Sequence, residues 1–388
     1  MTSWAKAGPQ WHQFGEANPS PADNRQILLP EFIGGAVLVF EALSFRGISY
    51  SLYAVVALCG IGLFRRPRLH ARWLSGFPVA ALLGLAYIGL VSALGYMPTG
   101  TWAKRELRIG ASLVFVWMMA TGRLHVMSIL KGYLLGIGIN LAAFYAGIAP
   151  RPYGELLSGW FGDKNRAGLA HALIGLLALS LVRRAGWFVV VAVVVLGSLW
   201  LTGSRTSTAA FGLGLCWFFM TRRAPLGLRA IIAVALWWLF GFVQDRFANV
   251  GAFADRTGSD LLRARIDLAA WAKVEAAPWH GVGLGSGNVV IGEEDWYFHN
   301  AFWTMLVEGG WPFLMFALGL TVLIGFRVVT PRPITWTQAA AEAAAFAVLV
   351  CATRLGDVFF TVAWAVVLGF AGFASAGEPE PGLVVQKT

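Results

Sequence analysis

The stretch DWYFHN, residues 295–300, places a histidine and an asparagine where a long polar segment gives way to an apolar run. An imidazole takes or gives a proton near neutral pH, so His299 is a candidate for acid–base work or for positioning an attacking hydroxyl. Just upstream lie Glu293, Glu294, Asp295, Trp296 and Tyr297. Carboxylates and aromatic faces are the residue types that bind sugars, through hydroxyl hydrogen bonds and C–H contacts with rings. The plainer reading makes His299 a satisfied structural residue, and Asn300 the cap of the helix that follows.

Guanidinium groups supply a second chemistry, the gripping of anions. TGSDLLRARIDLAAWAKVEAAP, residues 257–278, reads as one helix capped by Ser259 or Asp260 and closed by Pro278. Leu261, Ala264, Leu268 and Trp271 recur at steps of three and four, a face suited to lying against a bundle or a membrane interface. Arg263 and Asp267 are four apart and can pair with each other. Arg265 points elsewhere, which makes it the better functional candidate.

Arg205, in LTGSRTS, stands among small polar residues at the junction of two apolar runs. It either faces a polar pocket or snorkels to headgroups. In TRLGDVFF, residues 353–360, Arg354 and Asp357 either pair with each other or serve a ligand, Asp357 by orienting a histidine or a sugar hydroxyl. FGDKNRAG, residues 161–168, offers Asp163, Asn165 and Arg166 as a helix start or as the lining of a cavity. GVGLGSG, residues 281–287, has the glycine density of a dinucleotide loop but no preceding strand, so its glycines serve a tight approach of backbone to a ligand or to the bundle.

Composition dictates what must hold these residues. Of 388 residues 57% are hydrophobic and only 13% charged, about half the charged share of soluble domains. Apolar runs fall at 28–44, 48–64, 76–96, 107–121, 126–149, 167–182, 187–202, 206–220, 227–243, 301–326, 338–353 and 356–376. The expected fold is all-α, a polytopic membrane helix bundle of about twelve transmembrane helices, because lipid satisfies no open backbone group. Residues 1–27 are polar and lack the apolar core of a signal peptide. Cys59, Cys216 and Cys351 lie in apolar runs and read as small buried hydrophobes. No spacing of His, Cys and Asp suggests a metal site, and no cofactor is expected.

Basic residues set the orientation. Arg65, Arg66, Arg68, Arg72, Arg183, Arg184, Arg222, Arg223, Arg229, Arg327 and Arg332 fall on one side of a twelve-span arrangement, assigned to the cytoplasm together with both termini. Residues 97–106, 150–166, 203–206, 244–300 and 354–357 then face outward. They carry Arg105, Arg151, Arg166, Arg205, Arg265 and Arg354, against the usual bias, and so point to something anionic outside, or else to local carboxylate partners. The expected organisation is a cytoplasmic segment 1–27, helices over 28–243, a short helical outer-face loop 244–300, helices over 301–376 and a tail 377–388. The outer loop holds five Lys/Arg and eight Asp/Glu, so any anion it binds meets individually placed arginines rather than a broad positive field.

Arg265, Pro278, Gly281, Gly283, Gly285, His299, Asn300, Glu308 and Gly310 follow an order that resembles the O-antigen ligase/polymerase superfamily of bacterial membrane glycosyltransferases. SRTS around Arg205 and DKNRAG around Asn165 are similar to that family's earlier motifs, and the likeness covers about residues 160–330. The resemblance implies a GT-C-like bundle in the bacterial inner membrane that transfers a glycan from polyprenyl diphosphate to an acceptor hydroxyl at the outer face. The acceptor is a lipid A-core in a ligase and a lipid-linked repeat in a polymerase. It implies inversion without a metal, with Arg205 and Arg265 gripping the diphosphate and His299 serving the acceptor. Asn165, Arg166, Arg263, Trp296, Tyr297, Asn300, Arg354 and Asp357 would line the substrate sites, and no nucleic acid would be involved. The outer loop is short for that family, and the interval from Arg265 to His299 compact, so acceptor specificity does not carry over. Twelve spans around a cationic cavity also suit a transporter or flippase of lipid-linked glycans. That reading predicts related halves and charged pairs at the bilayer midplane, and the sequence displays neither.

Overall fold

Helices dominate the computed structural model of the protein, which describes residues 26–69, 74–95, 99–222, 224–247, 257–326 and 334–376. Residues 1–25 and 377–388, with Arg72, Arg223, Arg327 and Arg332, lie outside the described residues. In chain order the helices are α1 (Leu29–Val37), α2 (Tyr50–Leu63), α3 (Phe77–Leu94), α4 (Thr99–Ala120), α5 (Val126–Tyr145), α6 (Lys164–Ala178) and α7 (Ala185–Thr202). They continue with α8 (Arg205–Thr221), α9 (Leu226–Phe247), α10 (Thr257–Ala276), α11 (Ala301–Gly325), α12 (Trp336–Ala352) and α13 (Val362–Ala376). Two antiparallel hairpins interrupt them: β1 (Ser44–Phe45) with β2 (Ile48–Ser49), and β3 (Asn288–Ile291) with β4 (Glu294–Tyr297).

Each apolar run of the sequence contains one helix, and α10 stands apart from them. Among the described residues four helices, α3, α5, α7 and α11, are long and apolar enough to cross a membrane. The first run, 28–44, forms only the nine residues of α1 before the chain turns into β1.

The bundle is apolar on its outer faces as well as in its core. α6, α12 and α13 are buried on nearly every side, and α12 is rich in alanine (TQAAAEAAAFA), so backbones approach closely. Around them α3, α7 and α9 turn Leu82, Leu83, Val193, Val194 and Ile231 outward, the pattern of faces solvated by lipid. Capping sets several helix starts. Thr335 and Gln338 form a reciprocal capping box at α12, Ser49 caps α2, and His125 caps α5.

Over the bundle sits a small second core. Ile266 and Ala270 of α10 pack with Val289 of β3, Phe298 and Val307, and Lys273 donates to the carbonyl of Asn288 at 2.8 Å. The buried face of α10 is therefore the Ile266/Ala270 face. Leu261, Leu268 and Trp271, the stripe suited to the bundle or the interface, are exposed on the opposite side, so of those two surfaces it does not meet the bundle. The three-and-four spacing finds an apolar stripe without telling which of two stripes meets protein. Ser259 and Asp260, expected as caps, lie inside α10, which begins by Thr257. The outer loop is not purely helical either. Residues 288–297 form the β3–β4 hairpin, turning at Gly292 with φ 68°, a conformation glycine adopts without strain. Cys59 and Cys351 are buried free thiols as expected, whereas Cys216 is exposed on α8.

Candidate functional site

α11 is broken at Gly310, whose φ of 65° and ψ of −164° are not helical, with Pro312 just beyond. A break inside an apolar helix strands carbonyl groups that lipid cannot satisfy. The glycine-rich loop after α10 takes them up. Val282 N–H donates to Val307 O, and Gly283 N–H to Glu308 O, each at 2.8 Å. The Tyr87 hydroxyl donates to Gly309 O at 3.0 Å, and Trp311 N–H reaches back to Trp279 O at 2.9 Å. Gly281, Gly283 and Gly285 all have positive φ, which is what lets the loop follow the break. GVGLGSG therefore serves the approach of backbone to the bundle, one of the two uses its glycines suggested.

At the same level the Glu308 carboxylate accepts from Gly285 N–H at 3.0 Å and meets Arg105 of α4 at 3.0 Å. One turn further along α4, Arg108 makes two bonds to Asp357, at 3.0 and 3.2 Å. Arg166, in the first turn of α6, faces the same carboxylate at 3.7 Å. Asp163 caps α6, accepting from the N–H groups of Asn165 and Arg166, and also takes the Tyr153 hydroxyl at 2.6 Å.

Arg105, Arg108, Tyr153, Asp163, Arg166 and Asp357 line one cavity of about 660 Å³, together with Arg263 of α10, Trp296 and Tyr297 of β4, and His299. Five cationic side chains line it (Arg105, Arg108, Lys164, Arg166 and Arg263) against three acids, Asp163, Asp295 and Asp357. With Glu308 on Arg105 counted as a fourth acid, one positive charge remains in excess, and guanidinium groups suit a phosphate-bearing ligand.

The chain on either side of His299 is tied to the turn that carries Asp357. Gly356 lies against the carbonyl of Phe298, where any β-carbon would collide, and the Thr304 hydroxyl bonds both Asn300 O and Gly356 O. Asn300 caps α11, accepting from Phe302 and Trp303 N–H, so the helix start fixes where the neighbouring imidazole stands. Burial, then the positive charge of Arg263, lowers the His299 pKa to about 4, which leaves the imidazole neutral and able to accept a proton at pH 7. Burial alone would raise the Asp357 pKa, but Arg108, Arg105 and Arg166 outweigh it and pull the carboxyl down to about 2. It stays ionised and organises the arginines around it.

The structure thus brings together Asn165, Arg166, Arg263, Trp296, Tyr297, His299 and Asp357. It leaves four expected residues outside this cavity. Asn300 and Arg354 line an adjoining one, and Arg354 pairs with Asp267 at 3.6 Å rather than with Asp357. Arg265 is exposed on α10 and does not line the cavity. Two residues of helix separate it from Arg263 by about 200°, so only one of the pair can face inward. Arg205 opens α8 and is likewise not among the lining residues. Its neighbours Ser204 and Ser207 bond each other at 2.8 Å and pack against Gly168 of α6, so SRTS serves a helix contact.

Arg105 and Arg108, which the sequence reading did not single out as site residues, line the cavity that Arg205 and Arg265 do not. A signal for Arg108 was present: it carries a charge past the polar stretch 104–106 into the start of the apolar run 107–121, where charge is costly in lipid. Among the described residues no group of three or more His, Cys, Asp or Glu is placed to hold a metal ion. Comparison with protein-family models finds no match, and a search of curated proteins finds none either.

Proposed function

We propose that the protein is a membrane glycosyltransferase that moves a glycan from a polyprenyl diphosphate to an acceptor hydroxyl at the outer face of the bacterial inner membrane, with inversion at the anomeric carbon. The reading takes the helices outside α10 as twelve spans with both termini in the cytoplasm. The observation that carries it is the cationic cavity with a neutral, half-buried histidine at its rim. It is also supported by four of the five segments assigned outside, those around Arg105, Arg166, Arg263 and Asp357, converging on that cavity.

Arg105, Arg108, Arg166 and Arg263 are the groups to hold the diphosphate and stabilise the charge that grows on it as it departs. The bond from the anomeric carbon to the phosphate oxygen breaks with its electron pair on the diphosphate, a good leaving group that needs no protonation. The acceptor oxygen forms the new bond from the opposite side, and its proton passes to His299. Docking of the anionic donor offsets the field of Arg263, raising the proton affinity of His299 at the moment it is needed.

The test is reconstitution of the full chain in nanodiscs with a polyprenyl-diphosphate glycan and, separately, lipid A-core or a second lipid-linked repeat as acceptor, with products resolved by mass. A new glycosidic bond is expected with one of the two acceptors, which also separates ligase from polymerase. Absence of a bond, together with movement of the donor across liposome bilayers, would instead make the protein a flippase.

A further inference from the structure

A second cavity, of about 650 Å³, adjoins the cationic one. Trp237, Trp238 and Phe242 of α9 and Trp303 of α11 line it, together with Asp267 and Arg354. The two cavities back onto each other across a single partition, visible in the order of the chain. Ile266, His299, Thr304 and Leu355 line the cationic side, and their immediate neighbours Asp267, Asn300, Trp303 and Arg354 line the aromatic side. His299 therefore stands on the wall between them.

The aromatic cavity mixes broad ring faces with a carboxylate, a guanidinium and an amide. Trp238 and Phe242 stack at 5.7 Å, and Trp303 stands 5.5 Å from Trp271. Such a lining suits a sugar, whose C–H faces lie on indole while its hydroxyls find polar partners. Toward the other end of α9 an apolar groove of about 480 Å³ runs between α9, α11 and α12, lined by Val234, Val322, Phe326, Phe346 and Leu349. Trp237 belongs to both spaces. One molecule that fits both is an amphiphile with a sugar head and a hydrocarbon tail.

We infer that the aromatic cavity seats the acceptor, a membrane glycolipid whose sugar stacks on Trp238 and Trp303 and whose chain lies in the groove along α9. The assignment rests on the transferase reading. With the donor diphosphate in the cationic cavity, a sugar across the partition belongs to a second molecule, and its hydroxyl reaches His299 from the side opposite the leaving group.

Trp238 is 69% exposed, so its replacement leaves packing intact. With lipid A-core as the probe in nanodiscs, Trp238→Ala is expected to raise the acceptor KM about tenfold, about 1.4 kcal/mol. The kcat and the donor KM should stay within about twofold, and Trp238→Phe should restore most of the loss, as a stacking face requires. The same variant should weaken binding of lipid A-core measured by native mass spectrometry without donor. The idea is overturned if acceptor KM and binding are unchanged, or if the donor KM rises instead, which would put the donor's chain in the groove. If the wild type binds lipid A-core through Trp238 yet forms no bond with it or with a lipid-linked repeat, the transferase reading fails and the glycolipid site does not.

Discussion

Arg108 of α4 and Asp357, in the turn between α12 and α13, meet at 3.0 Å across 249 residues of sequence. That pair, with Arg166 on the carboxylate's other oxygen, ties three parts of the chain into one wall of the cationic cavity. The Asp357 carboxyl sits at about 2, below its ordinary 3.8, so its contribution is complete above about pH 4 and disappears as the pH falls toward 2. The shift corresponds to roughly 2 kcal/mol. Asp357→Asn should therefore lower the thermal midpoint in detergent at pH 7, and the two curves should converge near pH 2. An unchanged midpoint at pH 7 would show that the carboxylate is not what holds the arginines.

His299 has a pKa of about 4, below the ordinary 6.5, because burial and Arg263 both disfavour its cation. In kcat/KM, which reports the free enzyme, the acid limb should fall near pH 4 rather than near 6.5. In kcat it should move upward, since the bound diphosphate offsets Arg263. Arg263→Gln should raise the limb in kcat/KM toward the ordinary histidine value. His299→Ala should cost about 10²–10⁴ in kcat. Limbs at the same pH in both profiles would contradict the role given to Arg263.

The arginines of the cavity and those outside it should separate in donor affinity. Arg166→Gln and Arg263→Gln each remove a charge-assisted bond worth about 1.5–3 kcal/mol, a loss of roughly 10- to 150-fold in donor affinity. Arg265→Gln should stay within about twofold. Binding of the polyprenyl diphosphate to each variant in nanodiscs is the measurement. Equal losses for Arg263 and Arg265 would return both arginines to the donor site.

Gly310 allows the break in α11 that receives the glycine loop. A β-carbon there would meet the backbone of Trp279 and His280, and the positive φ adds strain of about 1–3 kcal/mol. Gly310→Ala should therefore sharply reduce the folded yield, read by fluorescence-detected size exclusion. Glu308→Gln, which keeps the acceptor for Gly285 N–H but loses the charge facing Arg105, should fold and show a lower thermal midpoint. A Gly310→Ala protein as stable as the wild type would mean that the break is not required.

Much of the architecture was legible because lipid leaves few options. Each long apolar run had to close its own backbone bonds, so each became a helix, and the short polar side chains at their starts, Asp163 and Asn300 among them, cap as their types suggest. His299, Arg166, Trp296, Tyr297 and Asp357 were recognisable as candidates from residue type and shared side, whereas Arg263 stood behind Arg265.

Which arginines face the set was another matter. Arg263 and Arg265 differ by a rotation about α10, and that rotation is chosen by Ile266 and Ala270 packing on Val289 and Phe298, contacts made with a hairpin the sequence did not announce. Arg354 pairs with Asp267 rather than the nearer Asp357 because the chain turns at Gly356 against Phe298, leaving Asp357 to Arg108. By itself the sequence determined that this is a helical chain rich in membrane-length apolar segments, with polar chemistry gathered between them. Only the tertiary structure decided which charges share a cavity, because pairing between distant helices depends on rotation and depth, and neither is written in local spacing.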